Sequence, residues 1–535
     1  MTVKNIPFLL IILHAAFLLP VCFIFAEDLG LTYVRCYDSW LLSQSLYTTS
    51  HAFYSGEWIP FFKGLVDLSY GPLFWCVSWL TAYPFFRADN QTAFIIAPRL
   101  LSLAAGTAAW ITVVFIIKRY LTTNPFLITL ALLPGLLTLE TLHLQTLIHP
   151  DTLSILCSLG MLYYLVEDHD ENTQKFSAAF NKALAFLVVG ISLKFNACIT
   201  GSAIFFHILF FRKNYSWKLF KKHTLFTTLL LGIFHLPLMH PTVLKQYASR
   251  LLFLSKQAKS FGDWPTYITM VKDKLGIFNE WIFSLIMFGA VVLISACLLV
   301  ISLKRKNFIL DSKHYLISLA LFLFTLHGIW VITGNYVIWI HYAFICCFLL
   351  PILMSYIGSF YLEAKFSIHP LPLFFSLGIA GLFLANELKA LTTKAITFLS
   401  LKNHPDKILF ENELRDIKNI LLSAHLPSWK CIAATPPINI APVSLKDKLE
   451  FINIRVSFHF KNLEYQNPQI IIIENNFYLH DMPQAQALTF LQKQSYMKRF
   501  TLFYQDKKFS IFVRSDYLEQ QRDELSPPQL PLALS

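Results

Sequence analysis

The feature that most limits the fold of this chain is a succession of apolar runs, each about 16–25 residues long, the length at which a helix crosses hydrocarbon. They occupy 6–26, 93–117, 125–147, 150–166, 178–193, 196–211, 224–240, 281–303, 314–333, 336–359 and 371–390. Hydrophobic residues make up 55% of the 535 and charged residues only 14%. Soluble domains carry about a quarter charged. A soluble core has no use for that much apolar surface, so the composition implies a polytopic membrane protein. The 50 Phe suit lipid-facing helices with aromatic belts at their ends. The net charge of +12 is read first as a topology signal. No soluble segment carries a basic stripe interleaved with aromatics, so no nucleic-acid partner is expected. Most of the nine Cys fall inside apolar runs, without CxxC or Cys/His metal spacing, and read as buried packing thiols. The run from Ile6 to Ala26 is long enough to span and lacks a good cleavage pattern, so it reads as an uncleaved first span.

Charge placement sets the topology. The stretch YGPLFWCVSWLTAYPFF at 70–86 is short, rich in Trp and Tyr, and carries Pro72 and Pro84. If it does not span and Lys4 is cytoplasmic, then Lys118-Arg119, the basic segment 211–223 and LKRKN at 303–307 all fall inside. If it spans, those loops move outside together, against the positive-inside rule. It therefore reads as an interfacial or re-entrant hairpin. The same argument breaks 176–211 into two short spans at LKFN, 193–196. The expected architecture is an all-α membrane domain of about eleven spans over 1–390, followed by a soluble α/β domain over 391–535. The N-terminus lies inside and the C-terminal domain outside. In the latter, NELRDIKNILLSAH has helical spacing, PQIIIIENN reads as a buried strand, and 499–516 reads as a hairpin about Gln505-Asp506.

With that topology one face collects the charges. Asp38, Glu57, Lys63 and Asp67 lie in the first outer loop, 27–92. Arg99 opens the second span. Glu140, His143, His149 and Asp151 lie at the next outer turn, Lys194 in the break, and Lys245 and Arg250 in the loop 241–280. Ionisable groups at membrane depth are costly and usually face a cavity. A carboxylate deprotonates a hydroxyl, and cations hold a phosphate and stabilise it as a leaving group. Together they suit transfer of a group from a phosphorylated lipid to an alcohol.

An Asp in an outer loop after a first span is followed in order by YGPLFW, APRLLSLAAG, IHPDTLSILCSLGMLYYL and GISLKFNA. This pattern resembles the GT-C fold glycosyltransferases that use polyprenyl-phosphate sugars. It is similar in particular to lipid A aminoarabinose transferases and to mannosyltransferases of the protein O-mannosylation type. The resemblance covers roughly 6–215. It implies that Asp38 is the general base. Asp38 is followed by Ser39, where many members carry Asp-Glu, so Glu27-Asp28 is a rival. It matches Tyr70-Gly71-Pro72-Leu73 to the family's Pro-Pro-Leu stretch, Pro150-Asp151 to the Pro-Asp that opens a span, and Lys194 to a lysine in the outer break. It also implies juxtamembrane helices around 70–86.

Each residue keeps a plainer role beside the chemical one. Asp38 suits a solvated loop or helix cap, and Asp151 an N-cap. Lys194 and Arg99 suit snorkelling, and His149 a polar cavity wall. Lys245 and Arg250 suit a basic face on lipid headgroups, and the aromatics of 70–86, Tyr70 among them, a belt. Glu140 and His143 stand one turn apart, too few for a metal site by themselves, and no cofactor is expected. The function expected is an inverting membrane glycosyltransferase. Its partners are a polyprenyl-phosphate-linked sugar donor, a lipid, glycan or protein acceptor, and membrane lipids. The expected setting is a bacterial inner membrane with a periplasmic active face; an endoplasmic-reticulum membrane is the other. A transporter or flippase of a lipid-linked substrate and a non-catalytic scaffold are the alternatives.

Overall fold

In the computed structural model, most of these runs become helices whose ends follow from the flanking residues. The structure describes residues 5–27, 37–66, 70–88, 90–136, 141, 144–170, 178–195, 197–211, 217–249, 279–305, 310–333, 344–363, 431–434, 450–453, 469–474, 495–505 and 509–518, with the side chains of 21, 23–27, 37–41, 43, 44, 91, 92, 170, 211, 279–288, 328–333, 344, 363, 431–434, 450–453, 472–474, 495 and 509 outside that description. The helices are α1 (Ile6–Glu27), α2 (Tyr37–Tyr54), α3 (Trp58–Gly64), α4 (Pro72–Arg87), α5 (Gln91–Tyr120), α6 (Pro125–Leu136), α7 (Asp151–Asp170), α8 (Ala178–Leu193), α9 (Ala197–Phe211), α10 (Trp217–Phe234), α11 (Asn279–Arg305), α12 (Ser312–Thr333) and α13 (Phe344–Glu363). Residues 241–249 are also helical. The expected span 371–390 and the helix at 412–425 lie outside the described residues.

Caps explain several boundaries. The Asn90 side chain accepts from Ala93 N–H at 3.0 Å to open α5. Asn124 does the same for α6 from Phe126 N–H at 3.0 Å, with Pro125 at the first position, where its missing N–H costs nothing. Asp311 accepts from His314 N–H at 3.0 Å at the start of α12. Among the described residues, Ala93–Tyr120 and Ile345–Leu362 are long and apolar enough to cross a membrane.

The stretch 70–86, expected as an interfacial or re-entrant hairpin, forms one 16-residue helix, α4, which corrects the hairpin and agrees with the helices that the resemblance implies there. Pro72 sits in its first turn and Pro84 in its last, so neither proline breaks it. The run 125–147 is helical over Pro125–Leu136 and bent at 146–148, so the expected span does not continue as helix to its end. The break within 176–211 falls where expected, between α8 and α9.

The chain divides into two compact units, Met1–Glu27 with Leu41–Thr397 and Asp28–Trp40 with Phe398–Ser535. In the first, the main core runs through α5, α6, α7, α8, α12 and α13, with Trp110 stacked on Phe348 at 4.1 Å. A second core joins Leu42 and Leu46 of α2, Phe61 of α3, Phe74 and Trp75 of α4, Phe94 of α5, Ile148, Cys157 of α7 and Leu193 of α8. Phe53 is its aromatic hub, with ring centroids 5.0 Å from Phe61, 4.8 Å from Trp79 and 5.1 Å from Tyr83. This core ties α2, α3 and α4 to the ends of α7 and α8.

In the second unit, β1 (Cys431–Ala434), β2 (Glu450–Asn453), β3 (Ile470–Glu474), β4 (Phe500–Gln505) and β5 (Phe509–Arg514) form one sheet in the order β2-β1-β3-β5-β4. β1 pairs in parallel with β2 and β3, and β5 is antiparallel to β3 and β4. Ile470, Ile471, Ile511 and Val513 are buried.

Candidate active site

Three chain segments meet at the N-terminal end of α7. His149 precedes Pro150, and a residue before proline is pushed out of the helical region. The helix therefore starts after it, and Ser154 N–H reaches back to the Pro150 carbonyl at 2.9 Å. Asp151 falls in the first turn of α7 rather than outside it. A carboxylate there is favoured by the helix dipole.

Lys194 stands at the junction of α8 and α9. Its N–H closes the last turn of α8 on the Gly190 carbonyl at 2.9 Å, and its carbonyl accepts from Ala197 N–H at 3.1 Å. The junction therefore keeps its backbone bonds while the helix axis is interrupted. The third segment, Tyr70-Gly71, leads into α4. Gly71 N–H donates to the Leu193 carbonyl at 3.0 Å, satisfying one of the carbonyls a helix leaves open at its C-terminus. A Cβ on Gly71 would lie 1.9 Å from the Ser192 carbonyl oxygen, so only glycine allows this approach.

These backbones bring four side chains together. Lys194 Nζ pairs with Asp151 Oδ1. His149 Nδ1 lies 2.9 Å from Asp151 Oδ2. The Tyr70 hydroxyl lies 3.3 Å from His149 Nε2, and Lys194 Nζ sits over the Tyr70 ring, 5.9 Å from its centroid. His149, Asp151 and Lys194 are only 2%, 6% and 5% exposed, whereas Tyr70 is half-buried. Elsewhere, the Thr152 hydroxyl and both amide atoms of Gln145, whose side chain packs on Gly106 of α5, are buried without a hydrogen-bond partner among the described residues. Native proteins seldom leave such groups unsatisfied. The arrangement offers a cation, an imidazole, a phenol and a helix N-terminus to an anion.

The other expected residues are placed differently. Arg99 does not open a span. It lies within α5, is buried, and donates from Nη1 to the Cys22 carbonyl of α1 at 3.3 Å. Glu57 is exposed and flanks the start of α3. Lys245 is exposed on the helical segment 241–249, whose Val243 and Tyr247 are buried against Val66. Tyr247 approaches Phe195, the neighbour of Lys194, with ring centroids 6.4 Å apart, and burial pushes its phenol up to about 12. Asp38 lies in the first turn of α2, with its side chain outside the described residues. Asp28, Asp67, Glu140, His143 and Arg250 are outside them altogether. Among the described residues no group of His, Cys, Asp and Glu is arranged to hold a metal ion. The thiols divide: Cys22, Cys157, Cys346 and Cys347 are buried, whereas Cys198 and Cys297 are exposed and so do not fit the packing role expected of them.

Two polar groupings were not expected from the sequence. The first descends from the site. Ser158 Oγ bonds the Ser154 carbonyl at 2.9 Å and the Thr200 hydroxyl at 3.3 Å, and Thr200 reaches His327 Nε2 on α12 at 3.4 Å. The spacing of Asp151, Ser154 and Ser158 on one helical face was its available signal. The second lies at the other end of α7. His207 Nε2 is 2.9 Å from Asp168 Oδ2, and its Nδ1 meets the Tyr315 hydroxyl. All three residues are fully buried.

No family model matches the chain, and no curated protein matches it. Among solved structures it is similar to ArnT from Cupriavidus metallidurans in the apo state, with a TM-score of 0.46 and 11% identity over 91% of this chain and 94% of that one. It is likewise similar to the same protein bound to undecaprenyl phosphate, with a TM-score of 0.47 and 11% identity over 97% of this chain and 99% of that one.

Proposed function

We propose that the chain is an integral-membrane glycosyltransferase that moves a sugar from a polyprenyl-phosphate donor to a lipid, glycan or protein hydroxyl on the outer face. One observation carries this reading. Tyr70-Gly71, His149-Pro150-Asp151 and Lys194, from three separate stretches of the resemblance described above, contact one another in a single buried cluster. Nothing in a lipid-facing bundle requires that convergence, because hydrophobic spans pack without buried charge.

In this mechanism Asp38 takes the proton of the acceptor hydroxyl as its oxygen attacks the anomeric carbon. The bond from that carbon to the phosphate oxygen breaks, and its electron pair stays on the phosphate. Lys194 and the N-terminal end of α7 stabilise the developing charge. Without a covalent intermediate the anomeric configuration inverts. The about eleven spans, the inside N-terminus, the outer-face C-terminal domain and the periplasmic site belong to the same proposal.

The test compares glycolipids and surface glycans of a deletion strain rescued by the wild-type chain, by Asp38→Asn and by Lys194→Gln. Loss of the same glycan in both variants, with normal membrane levels of protein, is expected. Full rescue by Asp38→Asn removes Asp38 as base, and full rescue by both removes the proposed reaction. Membrane-impermeant thiol reagents applied to single cysteines at 38, 151 and 194 test the shared cavity separately. Failure to label any of the three from outside rejects it.

A further inference from the structure

α10 rests on α8 along one side only. His223 is the buried residue of this helix, and it meets Phe180 of α8 with ring centroids 5.1 Å apart. The side turned away from α8 is open: Leu225, Leu229 and Ile233 are 62%, 59% and 59% exposed. At 3.6 residues per turn these three lie on one stripe with Lys218, Lys221 and Lys222, all within about 60° of a single line along the helix. The stripe therefore has a cationic end and an apolar end. From Lys222 to Ile233 it rises about 16 Å, roughly half of the ~30 Å hydrocarbon core and so the depth of one leaflet.

The cationic end is exposed and carries its own aromatic rings. None of the three lysines forms an ion pair among the described residues. Lys221 lies over the ring of Trp217, 5.6 Å from its centroid, and Trp217 stacks on Phe220 at 5.0 Å. Both rings are exposed, and a Trp beside lysines suits the headgroup layer of a membrane. Other lysines of this unit are engaged across helices. Lys118, Lys182 and Lys313 lie over Phe8, Tyr164 and Tyr356, at 5.1, 5.0 and 5.7 Å from the ring centroids.

We propose that this stripe binds one anionic phospholipid. Lys218, Lys221 and Lys222 hold its phosphate, and its acyl chains lie along Leu225, Leu229 and Ile233. A zwitterionic choline headgroup fits less well, because the same lysines repel its trimethylammonium. The site is separate from the candidate active site and independent of the proposed reaction. α9 leads away from Lys194 for 15 residues, about 22 Å, before the chain enters α10. Phe180, which meets His223, also stacks on His207, so the lysines stand at the Asp168–His207 end of the bundle. The bound lipid belongs to the leaflet opposite Lys194.

The test titrates the purified full chain in neutral detergent and counts bound lipid by native mass spectrometry. The probes are dioleoylphosphatidylglycerol, dioleoylphosphatidylcholine and glycerophosphoglycerol, the last being the anionic headgroup without chains. A lysine at a membrane surface is worth about a fivefold gain in affinity for an anionic lipid. The wild-type chain is expected to bind its first phosphatidylglycerol at least about twentyfold more tightly than phosphatidylcholine. Lys218→Gln or Lys222→Gln should each lose about fivefold, and the triple Lys218→Gln, Lys221→Gln, Lys222→Gln should lose the preference. The three side chains are exposed, so unfolding in the same detergent should not change. A second triple, Lys118→Gln, Lys182→Gln, Lys313→Gln, removes the same charge elsewhere and should keep the preference. Equal affinity for the two phospholipids, or a preference kept in the α10 triple, overturns the site. An equal loss in the second triple reduces it to net charge and overturns it as well. Glycerophosphoglycerol bound as tightly as the full lipid overturns the role of the apolar stripe.

Discussion

The Asp151–Lys194 pair allows a quantitative test by a double-mutant cycle. Both side chains are less than a tenth exposed, so removing one strands the other away from water. Breaking such a buried pair costs about 3–5 kcal/mol, most of it the penalty of the stranded charge, while replacing both partners is far cheaper. The two single variants should not be equal. Asp151→Asn leaves the Lys194 ammonium with an amide in place of a carboxylate and should cost the full ~3–5 kcal/mol. Lys194→Met leaves Asp151 with His149 at 2.9 Å and with the N-terminal dipole of α7, an offset of up to about 2 kcal/mol. Its cost should be about half that of Asp151→Asn. The double variant should then cost less than Asp151→Asn alone, giving a coupling of at least about 2 kcal/mol. Reversible unfolding of the full chain in mixed micelles, followed by tryptophan fluorescence, measures all four corners. Additive costs to within about 0.5 kcal/mol would refute the buried ion pair.

Three further variants probe the framework. Gly71→Ala places a Cβ 1.9 Å from the Ser192 carbonyl oxygen; it should destabilise by about 1–3 kcal/mol or more in micelle unfolding, and an unchanged stability would mean that the close approach of Gly71 to α8 is not required. Thr200→Val removes the hydroxyl that links Ser158 to His327; a loss of about 0.6–1.7 kcal/mol in micelle unfolding is expected, and no loss would mean that the link carries no stability. Asp168→Asn, at the far end of α7, should destabilise by more than about 2 kcal/mol while leaving affinity for the polyprenyl-phosphate-linked donor unchanged, since its partner is the fully buried His207; reduced affinity in a folded variant would place it in the site.

The apolar helices were legible because a long apolar run favours a conformation that satisfies its own backbone hydrogen bonds. The break at 193–196 followed from the placement of the basic loops together with the length of the run. The hairpin at 70–86 was inferred from the charges of the flanking loops, which bear on whether a stretch spans and not on how it folds. Pro72 occupies the one turn where a missing N–H is harmless. His149, Asp151, Lys194 and Tyr70 were legible as residue types, but their pairing was not, since it depends on a glycine close enough to α8 to hold Tyr70 in place. Arg99 was misplaced because a basic residue near the start of an apolar run suggests snorkelling. Here its partner is a main-chain carbonyl on α1. The cluster of Asp168, His207 and Tyr315 was missed because lone polar residues in apolar runs give no sign of which helices face each other.

α7 carries a buried carboxylate at each end, Asp151 paired with Lys194 and Asp168 with His207. Asp151 and Asp168 stand at opposite ends of the helix, roughly 25 Å apart at about 1.5 Å per residue. Lys194 stands just before α9, and His207 lies within it. The same two elements, α7 and α9 with its leading turn, are therefore joined at both ends, and between these ends Ser158 and Thr200 share a hydroxyl contact at 3.3 Å. Three polar contacts along one helix pair hold α9 to α7, so a variant that removes the Asp151–Lys194 pair loses one of the three and leaves the Asp168 end in place.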